Sequence, residues 1–353
     1  MNIPHRPPAS RTLTAMLAIC TAVFVGAALS AAETVFAPLA FALFTIAIAW
    51  PLQKTLQTRM PQLAALALTT GAIVVTVCAL ALLLAGAVGQ VGRFIVGDAE
   101  RLQALYGSAT SWLQGHGIEI GGTWADYFNS NRLIRLAQEL SSRLNTLLSF
   151  LIVVFVYVLL GLLEVDATVA KLREWRHGSL GTVLLVGGAN AAFKLRRYMQ
   201  VRTQMSIITG LLVYGFALLA GLPLALQWGV LAFGLNFIPF IGPFIATLFP
   251  TIFAAAQFAS LPAVVAIFTC LNIIQFVVGS YLEPRFVGNA LSMSPIVVLF
   301  SVFFWTFLWG LPGAFIGVPI VIVLLSLCEA YPSTRRIADL LGGSRPKDDP
   351  VPG

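Results

Sequence analysis

Eight stretches of this chain are long and apolar enough to cross a membrane, at about 13–31, 35–51, 62–89, 144–163, 205–222, 224–258, 260–282 and 294–328. Each is near or above the roughly 20 residues a helix needs to cover about 30 Å of hydrocarbon. Peptide groups in lipid must find partners within the segment, so such runs are expected to be helical. Composition excludes the alternatives. Of 353 residues, 58% are apolar and 10% charged, with a mean hydropathy of +0.90, whereas a soluble domain carries about 25% charged residues. A disordered chain would be rich in charge and poor in apolar residues. The fold expected is all-α, a polytopic integral membrane protein with about eight hydrophobic segments, two of them broken by Gly and Pro.

Basic residues set the expected orientation. With the N-terminus in the cytoplasm and the spans alternating, 15 of the Lys and Arg residues fall inside and 6 outside, as the positive-inside rule requires. Both termini are then cytoplasmic. The chain divides into N-terminal spans (1–89), an external amphipathic segment (90–143), a span (144–163), a cytoplasmic basic amphipathic segment (164–204), a C-terminal bundle of broken helices (205–328) and a cytoplasmic tail (329–353). Arg6 and Arg11 before the first run, and Ala28-Leu29-Ser30-Ala31-Ala32 at its end, have the layout of a signal peptide. A second apolar run comes almost at once, and a retained helical hairpin is the reading preferred. The net charge of +7 sits beside the spans, where it suits anionic lipid. It comes with no nucleic-acid motif.

Polar chemistry concentrates in the last third. Run 224–258 would measure about 52 Å as one straight helix at 1.5 Å per residue, too long for one crossing and short for two. Its middle, NFIPFIGPFIATLFP (236–250), holds Asn236, Pro239, Gly242 and Pro243. Run 294–328 is interrupted in the same way by GLPGAFIGVP (310–319), with Gly310, Gly313, Gly317 and Pro319. Proline removes a backbone donor and clashes with the preceding turn. Broken backbone at membrane depth is tolerated only where protein or a wet cavity covers it, and paired breaks of this kind point to a transporter's binding site. Either both runs cross with kinks or both fold back as re-entrant hairpins, and the hairpin is preferred.

Between the breaks, Asn272, Gln275, Gly279 and Glu283 fall within about 80° of one another on an α-helix. Asn272 and Gln275 could line a pathway or hydrogen-bond between helices. Glu283 and Arg285 are the charged residues between Arg202 and Glu329. They could neutralise each other, or Glu283 could take up a proton or a cation. Cys20, Cys78, Cys270 and Cys328 lie in apolar runs without metal-ligand spacing, and His5, His116 and His177 form no cluster. No metal or cofactor is expected. The chain has no phosphate-binding Gly-x-x-x-x-Gly-Lys-Ser/Thr loop and no His-Glu-x-x-His pair, so a built-in nucleotide motor and a zinc hydrolase are not expected either.

Residues 195–327 resemble the autoinducer-2 exporter family of bacterial permeases. The likeness rests on Gly221-Leu222-Pro223, Pro239-Phe240-Ile241-Gly242-Pro243, the ordered Pro284, Gly288 and Pro295, and a tail of Gly310, Gly313, Gly317 and Pro319 carrying an extra Pro312. Residues 35–59 also resemble the family's second span and its basic exit. The resemblance implies an inner-membrane permease that forms a homo-oligomer and exports a small sugar-like quorum-sensing signal. Other members look like sodium(lithium)/proton antiporters, in which case Glu283 would be the exchanging group. A third reading from the residues alone is a non-transporting scaffold docking through 90–143 or 164–204. The partners expected are a small polar solute or cation and the lipid bilayer.

Overall fold

The computed structural model describes residues 11–97, 130–175, 179–258, 260–287 and 293–342. These are almost wholly helical. Among them the one extended feature is an isolated bridge between Met293 and Gly342. The segment 98–129, which contains most of the expected external region, lies outside the described residues, as do Gly288 and His177.

The helices run α1 (Arg11–Ala31), α2 (Glu33–Gln57), α3 (Gln62–Gly97), α4 (Ser130–Glu174), α5 (Ser179–Leu219), α6 (Ala225–Leu235), α7 (Ile241–Phe258) and α8 (Leu261–Phe276). A π-helical turn, Val277–Leu282, leads into α9 (Glu283–Val287). The chain ends with α10 (Pro295–Ala330) and α11 (Arg335–Leu341). Six helical stretches among the described residues have the length and hydropathy to cross a membrane, so this is a multi-pass membrane protein.

The first two helices do not form a hairpin. They meet through Ala32, whose N–H still donates to Ala28 O and whose carbonyl accepts from Phe36 N, so helical bonding continues across the join. The one residue that separates them, Ala32 (φ −106°, ψ 31°), does not interrupt those bonds.

Helices α2 and α4 lie parallel. Phe41 meets Phe150, Gly161 meets Ile46, Gln53 donates to Leu162 O, and Lys54 pairs with Asp166 at 2.8 Å. The alternating spans predict this shared direction, because the two segments are the second and fourth in order.

Helix α5 is 41 residues long, about 62 Å at 1.5 Å per residue, and it acts as the common strut. Near its start Gly187 touches Leu327 and Ala330. Near its end Gly210 packs on Gly229 and Phe233, while Val213 and Ala217 share a core with Trp228 and Phe253. One end therefore holds α10 and the other holds α6 and α7.

Candidate transport site

Each over-long run turns back on itself. In the first, α6 ends at Leu235 and α7 begins at Ile241, with Phe240 in the left-handed region (φ 62°) at the reversal. The legs press so closely that a Cβ at Gly242 would overlap the Leu235 carbonyl. The open end is tied where Gln257 Nε2 donates to Gly221 O at 2.8 Å. In the second run, helical geometry fails at Trp309 and Gly310, and Gly310 adopts φ 60°, ψ −140°. A side chain is strained in that region, so glycine is needed there. Beyond the turn a Cβ at Gly313 would overlap the Trp305 carbonyl, and one at Gly317 would lie 2.8 Å from Ser301 O. In a straight helix Ser301 and Gly317 would stand about 24 Å apart. The open end closes through Ser294 N to Leu341 O at 3.3 Å. We call the two units hairpin A (α6–α7) and hairpin B (the two halves of α10).

The hairpins enter from opposite ends of α5. Hairpin A has its base beside Gln90, which bonds Gln227, at the far end of α3. Hairpin B has its base beside Lys194, which pairs with Glu329 at 2.7 Å. Their tips meet between these ends. Phe237 stacks on Phe315 at 5.9 Å between centroids, Phe41 stacks on the other side at 5.8 Å, and Ile238 joins the core formed by Trp305, Leu308 and Trp309. The tip of hairpin B is pinned to α1 by Trp309 Nε1 donating to Leu29 O at 3.0 Å. An apolar cavity flanks each hairpin. One of about 590 Å³ lies between α2, α5 and hairpin B, with Trp305, Trp309 and Pro319 in its wall; one of about 320 Å³ lies between α3 and hairpin A.

Not all the residues expected in a pathway come together. Asn236 and Pro239 are buried at the tip of hairpin A, where Asn236 Nδ2 donates to Ser206 Oγ at 3.2 Å. Pro243 lies in the first turn of α7, its carbonyl accepting from Thr247 Oγ1. Gly242, Gly313 and Gly317 are the close-packing points described above, Gly310 is the exposed turn, and Pro319 is buried. Asn272 is exposed and donates to its own helix at Phe268 O, and Gln275 is half-buried. The expected stripe assumed continuous α geometry. The π turn adds about one residue to the winding, rotating the downstream residues by about 100° relative to α8.

That rotation decides the fate of Glu283. It does not pair with Arg285. Glu283 Oε2 accepts from Arg202 Nη1 at 3.2 Å, and Arg285 stacks on the Tyr281 ring at 4.0 Å and donates to its hydroxyl. The open end of hairpin B also places α9 and Met293 at the basic end of the molecule, where Arg197 donates to Phe286 O; in alternating crossings they would lie at the other end. Sequence reasoning missed Arg202 and Ser206 as site residues. Their signal was the spacing of four, which puts both on one face of α5.

Opposed broken hairpins meeting inside a bundle of spanning helices define a membrane transporter. The chain belongs to the AI-2E transporter family, whose model matches residues 15–333. It is 28% identical over 312 residues to the AI-2 transport protein TqsA of Escherichia coli K12, covering 88% of this chain and 90% of that one. It is 31% identical over 197 residues to a candidate transport protein of Borreliella burgdorferi, across 56% of this chain and 54% of that one. A further relative, YhhT of E. coli K12, also named as a candidate transport protein, is 29% identical over 220 residues and 62% of each chain.

Proposed function

We propose that this permease exports a small polar solute of the autoinducer-2 type across the bacterial inner membrane, with the C-terminus cytoplasmic. The observation that carries the reading is the meeting of two opposed hairpin tips at Phe237 and Phe315. Helix ends at the tips expose backbone donors and acceptors that no continuous helix offers. Such groups bind a polar solute without a net charge on the protein. The choice of AI-2 as the signal comes from the name of the relative that this chain matches over most of both lengths. Cytoplasmic placement of the basic end is supported by the clustering of Lys194, Arg196 and Arg197 there, as the positive-inside rule demands.

Cation/proton exchange comes second. An exchanger needs a carboxylate free to alternate between proton and metal ion, and Glu283 is engaged by a buried guanidinium. A homo-oligomer remains part of the proposal through the family likeness.

The test is uptake of autoinducer-2 into inside-out vesicles reconstituted with purified protein. We expect accumulation with the native chain and none with Gly313→Leu. Uptake no greater than that of protein-free vesicles would overturn export of this signal.

A further inference from the structure

Helix α5 carries a buried polar seam that neither hairpin contains. Tyr198, Arg202, Ser206 and Thr209 lie within about 80° of one another around the helix. Arg202 and Tyr198 are 8% exposed, and Ser206 and Thr209 are fully buried. Apolar residues would fill this position at less cost, since an unmatched polar group buried away from water is penalised by about 1–3 kcal/mol. The seam is only partly matched. Ser206 receives Asn236, and Arg202 gives one N–H to Glu283. The Arg202 Nε and the Thr209 hydroxyl are buried with no hydrogen-bond partner among the described residues, and the Tyr198 hydroxyl has none there but the neighbouring Arg202 guanidinium. The seam runs beside the meeting hairpin tips: Tyr198 shares their core with Ile238, and Asn236 reaches Ser206 from the tip of hairpin A.

Resting on the permease reading, we propose that Tyr198, Arg202, Ser206 and Thr209, facing Asn236, are the fixed wall of the solute passage and bind a neutral, hydroxyl-rich solute. Neutrality is argued from the charges. Arg202 is the single cation of the seam, and Glu283 already balances it, so a charged solute would have to break that pair. A hydroxyl-rich solute is argued from the donors and acceptors. Hydroxyls, an amide and a guanidinium N–H spaced one turn apart match a ligand with several neighbouring hydroxyl groups. Partners supplied by the solute complete the bonding that the resting fold leaves open.

The test is thiol labelling in a chain whose four cysteines are replaced by serine or alanine. Ser206→Cys and Thr209→Cys are near-isosteric and keep the fold. Val158→Cys, buried among α2, α3 and α4, is the control. In reconstituted vesicles we expect a small membrane-impermeant methanethiosulfonate to modify both seam cysteines at least tenfold faster than the control. We also expect ribose or ribitol to slow modification of Ser206→Cys, with lithium chloride and sodium acetate without effect. Seam cysteines no faster than Val158→Cys would overturn the wall. Protection by lithium or acetate, or by none of the four, would overturn the neutral hydroxyl-rich solute. Labelling reports access to water independently of turnover. Its failure leaves the permease reading standing, and that reading falls separately if vesicles labelling as expected carry nothing.

Discussion

Phe237 and Phe315 stack at 5.9 Å although they lie at the tips of hairpins whose bases sit at opposite ends of α5. The pair is thus the point where two halves of the transport bundle touch. An aromatic pair of this geometry adds about 0.5–1.5 kcal/mol beyond its buried area. Single Phe237→Ala and Phe315→Ala variants should each insert, lose most export, and show a double-mutant coupling of about 1 kcal/mol. Unfolding in mixed detergent, read beside vesicle uptake, checks this. Strict additivity would mean that the stacking carries no energy.

Close packing inside hairpin B leaves no room for a side chain at Gly313 or Gly317. Gly317→Leu and Gly313→Leu should abolish export while the protein still reaches the membrane. Gly317→Ala should be milder than Gly317→Leu, because a lone Cβ 2.8 Å from the Ser301 carbonyl forces a smaller backbone shift than a full side chain. Uptake assays with membrane-fraction immunoblots separate lost function from lost insertion. Full activity in Gly313→Leu would refute the hairpin geometry.

Removing one partner of a buried ion pair costs more than removing both. Glu283→Gln strands Arg202, at about 3–5 kcal/mol, whereas Arg202→Leu with Glu283→Leu restores an apolar contact. The double variant should therefore melt above the single one in detergent. A single variant as stable as the native chain would show that the pair is solvated and weak.

Deleting Ser280 offers an independent handle on the same contact. Ser280 is exposed within the π turn, and its loss lets the helix return to α winding. Glu283 then keeps its phase, because the deleted residue is the one that the π turn accommodates, and it stays against Arg202. The deletion should therefore melt within about 1 kcal/mol of the native chain and well above Glu283→Gln, as measured by the same melting experiment. Instability matching that of Glu283→Gln would mean that the π turn is not what brings Glu283 to Arg202.

The breaks in both hairpins are legible in the sequence because proline and glycine act locally: Pro239, Gly242, Gly310 and Gly313 stop or bend a helix wherever it runs. Whether the runs fold back or cross is not local, because it depends on closures such as Gln257 to Gly221 that no short-range rule specifies. The seam on α5 is hidden for a different reason. Tyr198 and Arg202 read as part of a basic cytoplasmic segment, and Ser206 and Thr209 as small polar residues in an apolar run. Glu283 lies 81 residues from Arg202, so proximity in sequence suggests Arg285. The π turn leaves no compositional trace in Val277–Leu282, and a stripe through Asn272 laid out on α geometry has the wrong phase beyond it. The end-to-end join of α1 and α2 is masked by a short polar gap at Glu33 and Thr34 that looks like a loop.

A single stiff rod braces both folded-back loops, one near each of its ends. Tilting such a lever towards one loop draws it away from the other, so a gap that widens on one side of the bilayer narrows on the opposite side. Exclusive opening to one compartment at a time would then need no separate gates, only a fulcrum, and the stretch of α5 around Arg202 sits where a fulcrum belongs.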